Sequence, residues 1–414
     1  MSAAIIKAIF VMINSVKKKP VMKKILITIS CLILSITAFC QSPEEQAALE
    51  LAKQGKYPEA IAAFEKIITA DGKNVNAINV LSQLYLRSNK AQQGYDVATR
   101  GLGIAPDNID LNITKAKAAM ALSRDDEALT IMDAAITKHD DVFILYVIKG
   151  NVLDDQNKIQ LAIGAYSKSI QLKPDFPFAY LSRAEDFASI SRYENALTDY
   201  NKFIEMIPDN DEGYNMRGST NHKLGKNAEA MADYSKAIEL NKDQKYALVN
   251  RGILYAETGA ADKAMADYNQ AKTIDANFDD AYYELAKLYQ KQRNYPPAQQ
   301  NIEKAISINN RIASYYTVYA KILLGTDKNA EGLAAAEKVI AMDKVNADGY
   351  LLKATAYSNM ERYDDAIAAI NDGLKLFPDN YMYYSLRSAV YKFKGNIAMS
   401  DADNQKAKEL GTKN

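Results

Sequence analysis

Tryptophan is absent from this chain, and cysteine and histidine occur twice each. Both cysteines, Cys31 and Cys40, fall within the first forty residues, so residues 41–414 carry no thiol. That stretch therefore has no disulfide, no thiolate metal site and no cysteine nucleophile. His139 stands beside Asp140 and Asp141 with no second strong ligand type near it, and His222 stands alone. Both histidines read as solvated side chains rather than metal ligands. The chain contains no P-loop, no GxSxG, no HExxH and no EF-hand loop. No catalytic, cofactor-binding or metal-binding residue is expected. Charge of one sign is also missing: 51 basic side chains balance 51 acidic ones. The balance is uneven along the chain. Lys7, Lys17, Lys18, Lys19, Lys23 and Lys24 crowd a leader that has no acid, leaving 45 basic against 51 acidic residues, a net of −6, in the rest. A mildly acidic body excludes a general nucleic-acid or anionic-membrane binder. Its 48% hydrophobic and 25% charged residues are those of a soluble folded protein.

The leader reads as an export signal. Met22 is followed by Lys23 and Lys24, an apolar run from Ile25 to Ile36, and Thr37-Ala38-Phe39-Cys40. A charged start, a short apolar run and small residues at the exit make a secretory signal. The run is shorter than the roughly 20 apolar residues needed to span a bilayer. Ala38 and Cys40 favour cleavage before Gln41. Lipidation of Cys40 is the alternative, disfavoured by the bulky Phe39. Residues 1–21 are read as lying before the true start at Met22, the alternative being a membrane-held N-terminus. The expected location is exported, periplasmic or extracellular. Membrane contact would come only through an uncleaved leader or a lipidated Cys40.

Residues 41–414 number 374, which is eleven times 34, and eleven repeats fit without insertion. With repeats starting at residues 41, 75, 109 and onward to 381, position 8 holds only Gly, Ala or Ser, from Ala48 to Ser388. Position 20 does the same, from Ala60 to Ser400. Side chains this small at fixed spacing mark a close approach of two helices. Position 4 is Tyr in seven repeats: Tyr146, Tyr180, Tyr214, Tyr282, Tyr316, Tyr350 and Tyr384. Turn residues such as Gly55, Asn157 and Gly225 occupy position 15, and Pro106, Pro174, Pro208 and Pro378 occupy position 32. Apolar residues at helical spacing between these breaks divide each repeat into helices A and B.

Small residues at 8 and 20, aromatics at 4 and 24, and Pro at 32 resemble the tetratricopeptide repeat, as do Tyr57-Pro58-Glu59-Ala60-Ile61 and Tyr363-Asp364-Asp365-Ala366-Ile367. The resemblance covers residues 41–414. It departs at position 4, where Tyr replaces Trp, and at position 27, where Ile67 and Phe203 replace a small residue. The fold class implied is all-α, an α-solenoid superhelix of eleven 34-residue helix-turn-helix repeats behind a 1–40 leader. Stacking must bury what one helix pair cannot. Glu44 at position 4 of repeat 1 and Asn404 at position 24 of repeat 11 read as polar caps of a complete array.

Position 7 is Arg in repeats 5, 6, 7 and 11, as Arg183, Arg217, Arg251 and Arg387. Position 23 is Asp in those four repeats only, as Asp199, Asp233, Asp267 and Asp403. Independent placement would produce that coincidence about once in 330 tries, so the columns are expected to touch as structural ion pairs. The Tyr ladder at position 4 is read as half-buried packing between repeats rather than a stacking platform for sugars or bases. In the resembled family, helix A lines a concave groove through positions 2, 5, 9, 12 and 13. That implies a partner-binding surface at Ile144, Val147, Phe178 and Leu181, then Asn215, Ser219 and His222, then Tyr246, Val249, Ile253 and Tyr283. The competing reading has these side chains packed on one another. The chaperone-binding carboxylate clamp is not assembled, since Asn151 at position 9 is accompanied by Val147 at position 5. Gly94, Gly101 and Gly103 in repeat 2, and Gly332 in repeat 9, mark either hinges or closer helix approaches.

The expected function is a non-catalytic protein–protein scaffold or adaptor in the cell envelope or outside the cell, binding a protein or peptide and no nucleic acid. A membrane-tethered structural component of an envelope complex is the alternative. A glycan-processing enzyme or glycan-binding protein ranks below it, because no carboxylate pair converges. Intact-mass analysis of the exported form checks the leader: a chain beginning at Gln41 is expected, and a lipid-bearing Cys40 or a retained leader would contradict it.

Overall fold

The computed structural model describes residues 42–411, and the leader, with its cleavage and lipidation sites, lies outside them. Among the described residues there are 22 helices and no strand, two helices to each repeat. They form two units among the described residues, one ending at residue 209 and one beginning at residue 210. In the first, the hairpins of repeats 1–5 are Pro43–Lys53 with Tyr57–Ala70, Val75–Arg87 with Ala91–Ile104, Ile109–Ala121 with Asp125–Lys138, Phe143–Asp155 with Ile159–Leu172, and Pro177–Ser189 with Tyr193–Met206. In the second, repeats 6–11 are Asp211–Lys223 with Asn227–Leu240, Lys245–Glu257 with Ala261–Ile274, Asp279–Lys291 with Tyr295–Ile308, Ala313–Leu324 with Asn329–Met342, Ala347–Asn359 with Tyr363–Leu376, and Tyr381–Phe393 with Ile397–Gly411. Each unit is an α-solenoid of helical hairpins.

The turn between helices A and B has one backbone solution. Position 15 is left-handed in all eleven repeats, at Gly55, Gly225, Gly259 and Gly395 and at seven non-glycine residues including Asn89, Arg293 and Glu361. Such a residue ends a helix by freeing the chain to reverse. Helix A begins on an Asn at position 34 in several repeats. The side chains of Asn74, Asn108, Asn210 and Asn346 each accept from the amide three residues on. These bonds satisfy donors that the first helical turn leaves open.

Helices A and B meet at the small columns. Position 20 is buried in all eleven repeats and position 8 in ten. Where position 8 is Ser, its hydroxyl donates to the position 20 carbonyl: Ser82 to Gly94 at 2.7 Å and Ser388 to Ser400 at 2.8 Å. Where position 8 is Gly, position 24 is Tyr. A Cβ on Gly150 would stand 2.5 Å from the Tyr166 ring, one on Gly218 2.9 Å from Tyr234, and one on Gly252 2.5 Å from Tyr268. The missing methyl makes room for the ring. The core then runs from repeat to repeat: Leu248, Tyr268, Phe278 and Leu285 join repeats 7 and 8, and Ala286, Ile302, Tyr315 and Ile322 join repeats 8 and 9.

Between the two readings of the glycine-rich repeats, close approach holds at three of the four sites. A Cβ on Gly94 would meet the Ser82 carbonyl at 3.0 Å, one on Gly101 would meet Leu111 at 2.7 Å, and one on Gly332 would meet Leu324 at 2.8 Å. Gly103 alone faces open space. Glu44 and Asn404 are exposed as expected, but repeat 11 is less polar than a cap should be. Tyr381, Met382, Phe393, Ile397 and Met399 are all exposed on it, Phe393 by 71%. Among the described residues no helix is long and apolar enough to cross a membrane.

Gly252→Ala and Gly103→Ala should move stability in opposite directions. The first forces a methyl into the buried Tyr268 ring and should cost about 1–3 kcal/mol. The second adds a methyl in open space within a helix and should stabilise by up to about 1 kcal/mol. Urea unfolding midpoints of the two variants read the difference.

Candidate functional site

The Arg and Asp columns meet in all four repeats. Arg183 donates through Nε and Nη2 to the two carboxylate oxygens of Asp199 at 2.7 and 2.8 Å. Arg217 does so to Asp233 at 3.0 and 2.6 Å, Arg251 to Asp267 at 2.8 and 2.8 Å, and Arg387 to Asp403 at 2.7 and 2.8 Å. The Asp side chains are 4–8% exposed and the Arg side chains 18–24%. Paired, forked hydrogen bonds of this kind are the strong form of an ion pair. The bond to Asp267 holds the Arg251 guanidinium above its ordinary pKa against the opposing effect of burial, and Asp403 does the same for Arg387.

A third arm of the Arg was not anticipated. Nη1 of Arg183 reaches Ser167 at 2.9 Å, that of Arg251 reaches Ser235 at 3.4 Å, and that of Arg387 reaches Asn371 at 2.6 Å. Each partner stands at position 25 of the preceding repeat. Two of the three Lys at position 7 meet an acid at position 25 before them, Lys149 pairing with Asp133 at 2.6 Å and Lys353 with Glu337 at 3.1 Å; the third, Lys115, follows Thr99 and lies 5.0 Å from the centre of the Tyr95 ring. Tyr319 at position 7 donates to Glu303 at 3.1 Å. The signal was present as a covariation between position 7 and position 25 one repeat earlier. It is visible only when adjacent repeats, rather than one repeat at a time, are compared.

The Tyr ladder also has a fixed partner. The phenols of Tyr146, Tyr282, Tyr316, Tyr350 and Tyr384 donate to the carbonyl at position 32 of the preceding repeat, at 3.0–3.4 Å. The Arg183, Arg217 and Arg387 guanidinium groups lie over the rings of Tyr180, Tyr214 and Tyr384 at 5.4–5.8 Å. Each ring is engaged by its own array.

The second unit holds a groove of about 1110 Å³ lined by helix A of repeats 7, 8 and 9 and by the start of repeat 10. Ile253 and Tyr283 line it, and Tyr283 stands 4.8 Å from the Tyr315 ring. The Glu284 side chain, 12% exposed, takes both oxygens to Lys287 at 2.9 Å. Burial pushes its carboxyl above the usual range, with Lys287 pulling the other way. Lys321 pairs with Asp348 at 2.7 Å across repeats 9 and 10. Tyr268 is fully buried at the groove's base, and its hydroxyl has no hydrogen-bond partner among the described residues. The equivalent phenols do have one. Tyr166 donates to Asn151 at 2.8 Å and Tyr234 to Ser219 at 3.4 Å, both at position 9 of their own repeats. Repeat 7 has Ile253 there, which cannot accept.

Several expected groove residues are placed differently. Val147, Phe178 and Leu181 are buried, with Phe178 5.8 Å from Phe176 and 6.2 Å from Phe203, so they do not form an open apolar floor. Val249 packs in the core beside Tyr268, Leu285 and Leu288. Ile144 is half-buried against the core of repeats 3 and 4. Asn215 accepts from Asn250 at 3.0 Å, and Ser219 accepts from both Asn250 and Tyr234. Tyr246 is 52% exposed, 5.1 Å from Phe278, with Lys245 against both rings. The histidines are not free in solvent as expected: His222 Nε2 lies 2.8 Å from Glu257, and His139 is half-buried in its turn. Asn151 is turned inward to Tyr166, away from any clamp. Among the described residues no group of three or more His, Cys, Asp or Glu could hold a metal ion.

Comparison with known families fits this frame. A model described as "Tetratricopeptide repeat" matches residues 246–278, 279–311 and 347–380, and a second of the same description matches 113–177. Two of these matches start at residues 279 and 347, the first positions of repeats 8 and 10. The chain is a tetratricopeptide repeat protein. Further matches are to "TPR repeat" over residues 218–259 and to "Anaphase-promoting complex, cyclosome, subunit 3" over 53–135. Such repeats generally mediate protein–protein interaction. Among solved structures, one of a tetratricopeptide repeat protein from Parabacteroides merdae is 19% identical, covers 60% of this chain and 98% of its own, and has a TM-score of 0.48. The Cut9–Hcn1 hetero-tetramer is 13% identical over 93% of this chain and 96% of its own, with a TM-score of 0.45. YrrB, described as a TPR protein with an unusual peptide-binding site, is 24% identical over 43% of this chain and 92% of its own, with a TM-score of 0.36. No curated protein matches the chain.

The Arg–Asp columns supply their own control, since repeats 2 and 8 carry Leu81 and Leu285 at position 7 opposite the uncharged Val97 and Asn301. Arg251→Leu strands the buried Asp267 carboxylate and should cost about 3 kcal/mol. Arg251→Leu with Asp267→Val should cost less than that single change. A urea double-mutant cycle reads the coupling directly.

Proposed function

We propose that this protein is a non-catalytic scaffold or adaptor, exported to the cell envelope or beyond, that binds a protein or peptide partner in the groove of repeats 7–10. The observation that carries the reading is the groove itself. Its volume of about 1110 Å³ exceeds most small-molecule pockets, which run to roughly 300–1,000 Å³. Its lining is drawn from four successive repeats, which suits an extended segment laid across helices rather than a compact substrate. Tyr283 and Ile253 offer the aromatic and aliphatic contacts on which interface energy concentrates. The groove's buried acid, Glu284, is ion-paired with Lys287, and the Glu257 carboxylate near it is held by His222. Export rests on the Met22–Cys40 leader.

The test is partner capture from envelope extract by the full chain and by an Ile253→Ser, Tyr283→Ala variant, with helicity followed by circular dichroism. Both side chains are half-buried at the surface of helix A, so helicity should persist. Partners recovered by the wild type should fall at least about tenfold with the variant, as expected for loss of two anchors. Undiminished capture by a folded variant would place the interaction elsewhere.

A further inference from the structure

We propose that repeats 3 and 4 hold a separate binding site, a crevice for a free fatty acid, with the aliphatic tail against Leu129, Leu153 and Leu161 and the carboxylate on Lys168. The crevice has a volume of about 400 Å³ and lies between three helices of the first unit. That is toward the low end of small-molecule sites, which run to roughly 300–1,000 Å³. Leu161, Gly164, Ala165 and Lys168 line it from helix Ile159–Leu172, at the spacing that puts residues on one helix face. Leu129 and Asp133 line it from helix Asp125–Lys138, and Lys149 and Leu153 from helix Phe143–Asp155.

The other ten repeats show that the hairpin fold does not require this arrangement. Position 19 is Glu, Gln, Asn, Lys, Asp or Pro in nine of them and Met399 in the last. Repeat 4 places Leu161 there, 61% exposed beside the crevice. Position 22 is Ala, Asp, Thr or Gln in the other ten and glycine in repeat 4 alone. A Cβ on Gly164 would meet nothing within 4 Å, so no close contact demands the glycine, although glycine weakens a helix interior relative to Ala. At position 23 repeat 4 has Ala165, and Lys149 at position 7 is drawn to Asp133 of repeat 3 at 2.6 Å. No Arg–Asp pair therefore stands where repeats 5, 6, 7 and 11 have one. Three charged side chains line the crevice: Asp133 takes Lys149, and the half-buried Lys168 has no ion-pair partner among the described residues. One positive charge is left beside aliphatic side chains. A chain of methylenes ending in one carboxylate matches both features. A peptide laid here would set backbone amides and carbonyls against leucines that cannot bond to them.

The test is isothermal titration calorimetry of the full chain with decanoate, hexanoate and decylamine, each below its micelle-forming concentration. Decanoate should bind at least about tenfold tighter than hexanoate, because each methylene taken from water is worth up to about fourfold in affinity. It should also bind at least about tenfold tighter than decylamine, which carries the same tail and the opposite charge. Lys168→Glu should reverse the order of decanoate and decylamine. Gly164→Leu should abolish decanoate binding by filling the crevice, while its urea midpoint stays at or above that of the wild type, since the added side chain enters open space on a helix. Leu161→Ser changes an exposed side chain and should weaken decanoate binding with no loss of helicity. Four results overturn the proposal: no decanoate binding, equal binding of decanoate and decylamine, an order unmoved by Lys168→Glu, or decanoate binding that ignores both Gly164→Leu and Leu161→Ser. The last would assign the binding to another exposed apolar surface, such as that of repeat 11.

Discussion

The rest of the structure depends on how closely helices A and B of one hairpin approach. Position 20 is Gly, Ala or Ser in every repeat and buried in every one, and its partner column at position 8 is equally small. Each local variation is matched across the contact. A Ser at position 8 finds the carbonyl at position 20, and a Gly at position 8 admits a Tyr ring from position 24. Interiors packed to near-crystal density do not accept an added methylene without moving something. The close approach sets the angle of the hairpin, and the hairpin sets which side chains of helix A are turned toward the groove. A repeat that loosened this contact would displace the groove residues before it lost its helices.

Stacking alone would leave neighbouring hairpins held by apolar contact, which is not directional. Two polar ties give the stack its register. The position 4 phenol bonds to the position 32 carbonyl of the repeat before it, and the position 7 side chain reaches position 25 of that repeat. The second tie exists in several chemical versions: Arg with Ser or Asn, Lys with Asp or Glu, Tyr with Glu. Arg takes a neutral partner at position 25 because its charge is already met by the Asp at position 23. Lys149 and Lys353 have no such Asp and take their counter-charge from the neighbour. In these six repeats the charge of position 7 is balanced either within the hairpin or across the interface.

The repeat frame, the helix breaks and the Arg–Asp contact were legible in residues alone, because eleven internal copies act as an alignment. The columns show which positions vary together, and covariation reports contact. What stayed hidden was anything that depends on how far a side chain is covered. Val147, Leu181 and Val249 hold the same column as Tyr283, position 5, yet the first three are buried and Tyr283 lines a groove. A column number records the direction from the helix axis and not the bulk of what lies above it. His222 illustrates the same gap: its acceptor, Glu257, comes from position 13 of the following repeat, a pairing that one occurrence cannot reveal as a pattern. The exposed Phe393, Ile397 and Met399 of repeat 11 are a third case. Helix Ile397–Gly411 is polar in composition, so averaging over it hid the few apolar side chains on its exposed surface.

The groove of repeats 7–10 is where two of the internal rules are broken. Position 9 is a polar acceptor beneath Tyr166 and Tyr234, but it is Ile253 beneath Tyr268. Position 15 elsewhere avoids cations, but it is Arg293 here. A buried hydroxyl without an acceptor and a long side chain in a left-handed turn each lower stability by an amount on the order of 1 kcal/mol. The array shows that cheaper residues fit, since its own copies use them. Both departures lie in the groove that four repeats share. A fold assembled from near-identical units keeps its exceptions where something other than folding selects them, and in this chain these two converge on the surface of repeats 7 and 8.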